Sequence, residues 1–142
     1  MTPPVLTPTA AVRQGVLTTL VLALPAGLIN QFVVDAGDKG SRSPVVVLLW
    51  LVILFGGAAG GFAVMRLSPD ARLAHAAVGA FGGYVVVQAI GVIRRLFVGQ
   101  PISWLAFPLL ATLMATCGMF GGAFERRWER QQGATADGED SP

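Results

Sequence analysis

Charge is what this sequence lacks. Charged residues fill 13% of its 142 positions, about half the share of an ordinary soluble domain. They are also unevenly placed. Four stretches, 15–34, 45–65, 73–93 and 104–124, contain no Asp, Glu, Lys or Arg. A bilayer core about 30 Å thick is crossed by roughly 20 helical residues. One charge at its centre costs about 2.5–3.5 kcal/mol on insertion scales. Four uncharged runs of that length exclude a soluble globular domain, because too little polar sequence remains to cover so much apolar helix.

Other scarcities narrow the chemistry. The single cysteine, Cys117, lies inside the fourth run, so no intramolecular disulfide can form, and it reads as a small packing residue. The single histidine, His75, opens the third run with no second His or Cys at metal-ligand spacing. No run holds a carboxylate, so a proton-coupled carrier would lack its titrating group. Asp35, Asp38 and Asp70 fall in connections beside basic residues, and neither a Walker motif nor a Ser/His/Asp set is present. No catalytic residue, metal or cofactor is expected, and an enzyme is not expected. The net charge of +2 gives no case for nucleic acid.

What is present reads as an all-α integral membrane bundle of four helices. Residues 1–12, rich in Pro and Thr, are expected to be disordered, 13–131 to form the transmembrane domain, and 132–142 to be a disordered acidic tail. The first span carries no convincing small-residue cleavage site and reads as retained. Connections at 35–43, 66–72 and 94–103 are short, which implies antiparallel neighbours and an up-down-up-down order. Ser43-Pro44, Ser68-Pro69-Asp70 and Ser103 supply cap residues for spans two, three and four. Pro25 and Pro108 should kink their helices. Thr18, Thr19, Thr112 and Thr116 should bond back to their own helices.

Loop cations set the expected orientation. Arg13, Arg66, Arg72, Arg126, Arg127 and Arg130 lie on the side of the termini, against Lys39, Arg42, Arg94 and Arg95 opposite. The excess places both termini in the cytoplasm. Trp104 and Trp128 fall at lipid–water boundaries, and Arg66, Arg126, Arg127 and Trp128 read as headgroup anchors. The Arg-rich, Ala/Val/Gly-rich composition points to a bacterial cytoplasmic (inner) membrane.

Helices in lipid associate by close packing, which small residues permit. Gly56 and Gly60, with Gly57 and Gly61, form two adjacent rows on span two, read as one wide flat face. Gly79 and Gly83 form a row on span three. Ala111, Ala115, Gly118 and Gly122 form a stripe on span four. These faces are expected to pack first within the chain.

A polar seam runs along span three through Ala77, Phe81, Tyr84, Gln88, Gly91 and Arg95, spaced four and three apart. Tyr84, Gln88 and Arg95, with Asn30 and Gln31 at the end of span one, are the candidate polar residues. They serve either as an interhelical hydrogen-bond seam or as the lining of a conduit or small-ligand site.

Gly60-Gly61 precedes Arg66 as Gly121-Gly122 precedes Arg127, and spans one and three each carry a glutamine. The bundle can therefore be read as two similar helical hairpins related by an axis along the membrane normal. In span layout and glycine clusters the chain resembles uncharacterised small four-span, glycine-rich bacterial membrane proteins, a resemblance that implies no activity. It departs from the small multidrug transporters, which use a glutamate in the first helix, and from the fluoride channels, whose glycine-rich arginine motif stands near the N-terminus.

The function expected from the sequence is a non-enzymatic accessory, scaffold or subunit module acting through helix–helix contacts. The alternative is a small oligomeric channel or facilitative transporter lined by the polar face of the third span. The expected partners are the lipid bilayer, with other membrane subunits or further copies of the chain left open.

Overall fold

The computed structural model describes residues 6–35, 44–99, 102 and 104–139. It contains four helices, α1 (Pro8–Asp35), α2 (Pro44–Leu67), α3 (Leu73–Val98) and α4 (Ala106–Glu139). All four are long and apolar enough to cross a membrane, and no strand occurs among the described residues. The surface is apolar: Val21, Phe32, Phe55, Phe97, Leu109 and Phe120 point outward. The interior is built of Ala, Gly, Thr and a few larger side chains. In water so much exposed apolar surface would be untenable, whereas against acyl chains it is the natural outer face. The chain is a four-helix integral membrane bundle.

Contacts fix the directions. Along α1 and α2, Gly15 meets Gly60 and Val64 while Thr19 and Ala23 meet Gly56, so these helices are antiparallel. On α4, Gly122 approaches Leu73 and Ala76 while Gly118 approaches Ala76 and Ala80, so α3 and α4 are antiparallel too. In contrast, Gly57 faces Met114 and Gly61 faces Gly118, which makes α2 and α4 parallel. The order is up-down-up-down. α2 and α3 form the centre, α1 and α4 each pack on both of them, and α1 and α4 barely touch among the described residues. An axis relating α1–α2 to α3–α4 would turn the α2–α3 contact into an equal α1–α4 contact, which this arrangement lacks.

Two apolar clusters lie at opposite ends. One holds Ala11, Val64, Met65, Ala71 and Ala76. The other holds Ala23, Ala26, Ile53, Tyr84 and Met114. Between them is a waist of backbone-to-backbone contact. The two glycine rows of α2 are not one face: Gly56 and Gly60 turn to α1, and Gly57 and Gly61 to α4. Thr19 is fully buried at the waist, and its Oγ1 donates to the Gly15 carbonyl at 3.0 Å. It fits between the Cα atoms of Gly60 on α2 and Gly83 on α3. Thr18, Thr112 and Thr116 likewise donate to carbonyls of their own helices.

The helix boundaries depart from the expected domain limits. α1 begins at Pro8 rather than after residue 12, because Thr7-Pro8 places a capping residue before a proline at the first helical position. Leu6 is held by its N–H, which donates to the Leu67 carbonyl at 2.8 Å, and it packs on the cluster around Ala11. α4 runs past residue 131 to Glu139, extended by strong helix formers (Glu125 to Gln132) and by Phe124 tilted against Trp128 one turn on, ring centroids 6.1 Å apart. Residues 1–5 and 140–142 lie outside the described residues.

The third span is capped differently from expectation. Ser68 is buried in the turn, donating its N–H to the Val64 carbonyl and accepting from Ala71. Arg72 is the cap residue, and its N–H donates to His75 Nδ1 at 3.0 Å. α3 ends at Gly99, whose φ of 68° lets its N–H reach back to the Arg95 carbonyl. Ser43 and Ser103 lie outside the described residues.

Candidate functional site

Above the waist, at the end opposite the described termini, the helices part around a cavity of about 200 Å³. Each helix contributes to its wall. α1 supplies Asn30 and Gln31, α2 supplies Trp50 and Ile53, and α4 supplies Phe107, Leu110 and Met114. α3 supplies Tyr84, Gln88, Gly91 and Arg95, one residue per turn of its inner face. The five candidate polar residues, Asn30, Gln31, Tyr84, Gln88 and Arg95, thus line one space. The rest of the seam diverges: Phe81 turns to the outer surface, and Ala77 does not reach the cavity.

The polar groups are partly satisfied. Tyr84, only 5% exposed, donates its hydroxyl to the Phe107 carbonyl at 3.0 Å, joining α3 to the first turn of α4. Gln88 stands beside the same hydroxyl. Gln31 packs against Gly91, where the absence of a side chain admits its amide, and its Oε1 accepts a long bond from Arg94 at 3.5 Å. The Arg94 guanidinium also lies over the Phe32 ring at 5.0 Å. The Asn30 amide oxygen is buried without a protein partner. A buried amide oxygen left unpaired in an apolar medium costs on the order of 2–7 kcal/mol, a cost that a polar guest admitted by a small opening of this wall would offset. At about 30 Å³ per molecule the cavity has room for roughly six waters, or a solute of a few heavy atoms.

Tyr84, Gln88, Val92 and Phe107 have a second role. They also wall an apolar groove between α3 and α4 with Phe81, Val85, Pro108 and Ala111, open to the outer surface. Polar cavity and lipid-facing groove are therefore separated by a single layer of side chains. Among the described residues, the cavity wall has no Asp, Glu, His, Cys or Lys, and no group of three or more metal-ligating side chains occurs.

The remaining candidate residues are placed elsewhere. Gly118 and Gly122 pack on α3, Gly79 meets Val64, and Gly83 meets Thr19. Ala111 packs on the cluster around Tyr84, and Ala115 is half-buried on the same side of α4. Arg66, Arg127 and Trp128 are exposed at the opposite end. Arg126 is half-buried, and its Nη2 donates to the Ala71 carbonyl at 2.8 Å.

Several packing residues escape notice in the sequence. Gly15, Gly27 and Gly121 stand alone or out of register with the four-residue glycine pattern, although each faces a neighbouring helix. Glu125, only 5% exposed, lies three residues beyond Gly122 and continues the Ala111–Gly122 stripe by one step. The stripe itself was the signal that could have revealed it. No family model, curated protein or solved structure matches the chain, so its own geometry carries the functional reading.

Proposed function

We propose that this chain is a non-enzymatic membrane protein that holds a small polar solute, neutral or anionic, in the cavity between its four helices. The observation that carries the reading is the buried Asn30 oxygen without a partner, in a wall that also presents Gln31, Tyr84, Gln88 and Arg95. The described wall combines amide donors and acceptors with the Arg95 guanidinium, groups that match neutral or negative guests. Among the described residues it offers no paired general base and nucleophile. The waist closes the cavity below, so the geometry supports binding on one side of a barrier. The position of the termini in the cytoplasm and the inner membrane of a bacterium belong to the same proposal and rest on the arginine asymmetry.

The test is thermal stability of the purified protein in detergent against urea, glycerol, acetamide, acetate and phosphate. A solute at a hundred times its dissociation constant adds about 2.7 kcal/mol. At least one of these is expected to raise the melting temperature of the wild type and not that of Gln88→Leu. No shift with any of them, or an identical shift in Gln88→Leu, would contradict the reading.

The accessory-module reading keeps one observation in its favour. α4, with 34 residues, is about 51 Å long at 1.5 Å per residue, and its far end offers exposed Arg127, Glu129 and Arg130. The glycine faces that first suggested it are used inside the bundle. The scaffold role would be favoured if shortening α4 at Gln132 left solute stabilisation intact and abolished function in cells.

A further inference from the structure

At the opposite end of the bundle a second cleft lies between the last turn of α2 and the continuation of α4. Phe62 and Arg66 form one wall, and Phe124, Glu125, Trp128 and Glu129 form the other. Glu125 is 95% buried by its 5% exposure, yet its Oε2 has no hydrogen-bond partner. Arg66 and Glu129 are near enough for their charges to act on the Glu125 carboxylate, but neither closes on it: the Arg66 guanidinium lies over the Phe62 ring at 6.0 Å. One guanidinium and two carboxyl groups thus share the cleft with an aromatic wall.

The cleft faces lipid. Phe124 and Trp128 are 59% and 51% exposed on its rim, and Trp128 follows the apolar run of α4 by four residues, where indoles meet the interface. A guest must therefore reach it from the membrane at headgroup depth. It must also bring N–H donors to an orphan carboxylate oxygen and an anionic group to a neighbouring guanidinium. We propose that this cleft binds the headgroup of a zwitterionic aminophospholipid, its primary ammonium donating to Glu125 and Glu129 against the Trp128 face and its phosphate meeting Arg66. A quaternary ammonium has no N–H to give Glu125, and a glycerol headgroup has no cation. The site therefore discriminates among headgroups, beyond the general anchoring that surface arginines provide.

The test is lipid retention by native mass spectrometry after purification from vesicles holding equal parts phosphatidylethanolamine, phosphatidylcholine and phosphatidylglycerol. Wild-type protein is expected to retain phosphatidylethanolamine about tenfold over phosphatidylcholine, the worth of one charge-assisted hydrogen bond. Glu125→Gln is expected to abolish that preference. Free phosphoethanolamine is the second arm: if it competes the lipid off at millimolar concentration, the headgroup alone is recognised and the lipid assignment fails. If Glu125→Gln does not fold, Glu129→Gln, on an exposed side chain, reads the same preference and is expected to lower it. Equal retention of the three lipids, or a preference unchanged by the Glu125 and Glu129 substitutions, would overturn the proposal. Either result would leave the solute cavity untouched, since the two sites lie at opposite ends.

Discussion

A single methyl group added at Gly61 would overlap the Gly118 carbonyl, because α2 and α4 meet there backbone to backbone. Neither backbone can move without carrying a whole helix. Gly61→Ala is therefore expected to cost about 1–3 kcal/mol, read as a drop of several degrees in the detergent melting temperature. Gly60→Leu and Gly118→Leu should cost more. Gly99→Ala is a useful contrast. Nothing lies within 4 Å of that site, so only the left-handed backbone is strained, at a cost of about 1 kcal/mol. If Gly61→Ala were no worse than Gly99→Ala, close packing at the waist would not hold the bundle together. The spacing of the α2 glycine pairs marks them as candidate packing residues, and neighbouring helices approach closely at them. Which row meets which neighbour was not legible, because adjacent rows differ by only about 100° around the helix, and a sequence does not state where its neighbours stand.

Among the elements, α4 and the α2–α3 turn depend on one another. Arg126 crosses from α4 to the Ala71 carbonyl, and His75 takes the Arg72 N–H that opens α3. Arg126→Ala is expected to speed hydrogen exchange at the amides of 68–72 several-fold and to leave α1 unchanged, because the loss is local. Exchange unchanged in the turn would show that the bond does not restrain it. His75→Ala should cost about 1 kcal/mol, the usual worth of a lost cap. The sequence marks Ser68-Pro69-Asp70 as the cap for α3, and that signature misleads for a physical reason. The Ser68 N–H completes the end of α2 instead, bonded to the Val64 carbonyl, so the turn extends four residues further before α3 starts. α1 and α4 also run further than the apolar spans suggest, because helices continue past the apolar core wherever caps and good helix formers allow.

For the whole molecule, the four spans and their alternating directions were readable, since length and absence of charge decide them almost alone. The polar cavity was readable in part. Tyr84, Gln88 and Arg95 share a helix face by their spacing, and the same periodicity wrongly included Phe81. What no periodicity could supply was the convergence of α1 with α3, which brings Asn30 and Gln31 across from Gln88, nor Trp50 and Phe107, which close the cavity from the two other helices. The distribution of chemistry follows from this arrangement: tight small-residue contact in the middle, hydrogen-bonding groups at one end, and opposed charges at the other. Polar side chains enclosed at membrane depth require water or a polar guest beside them, and the lipid-facing side chains require neither. The most direct measurement is reaction with N-ethylmaleimide, which needs a water-supported thiolate, in intact membranes and in a Cys117→Ala background. Asn30→Cys and Gln88→Cys are expected to be labelled, while Val21→Cys and Phe120→Cys, on the outer face, remain unlabelled. Labelling of the two outward positions with none at Asn30 and Gln88 would contradict a hydrated cavity enclosed by four membrane-crossing helices.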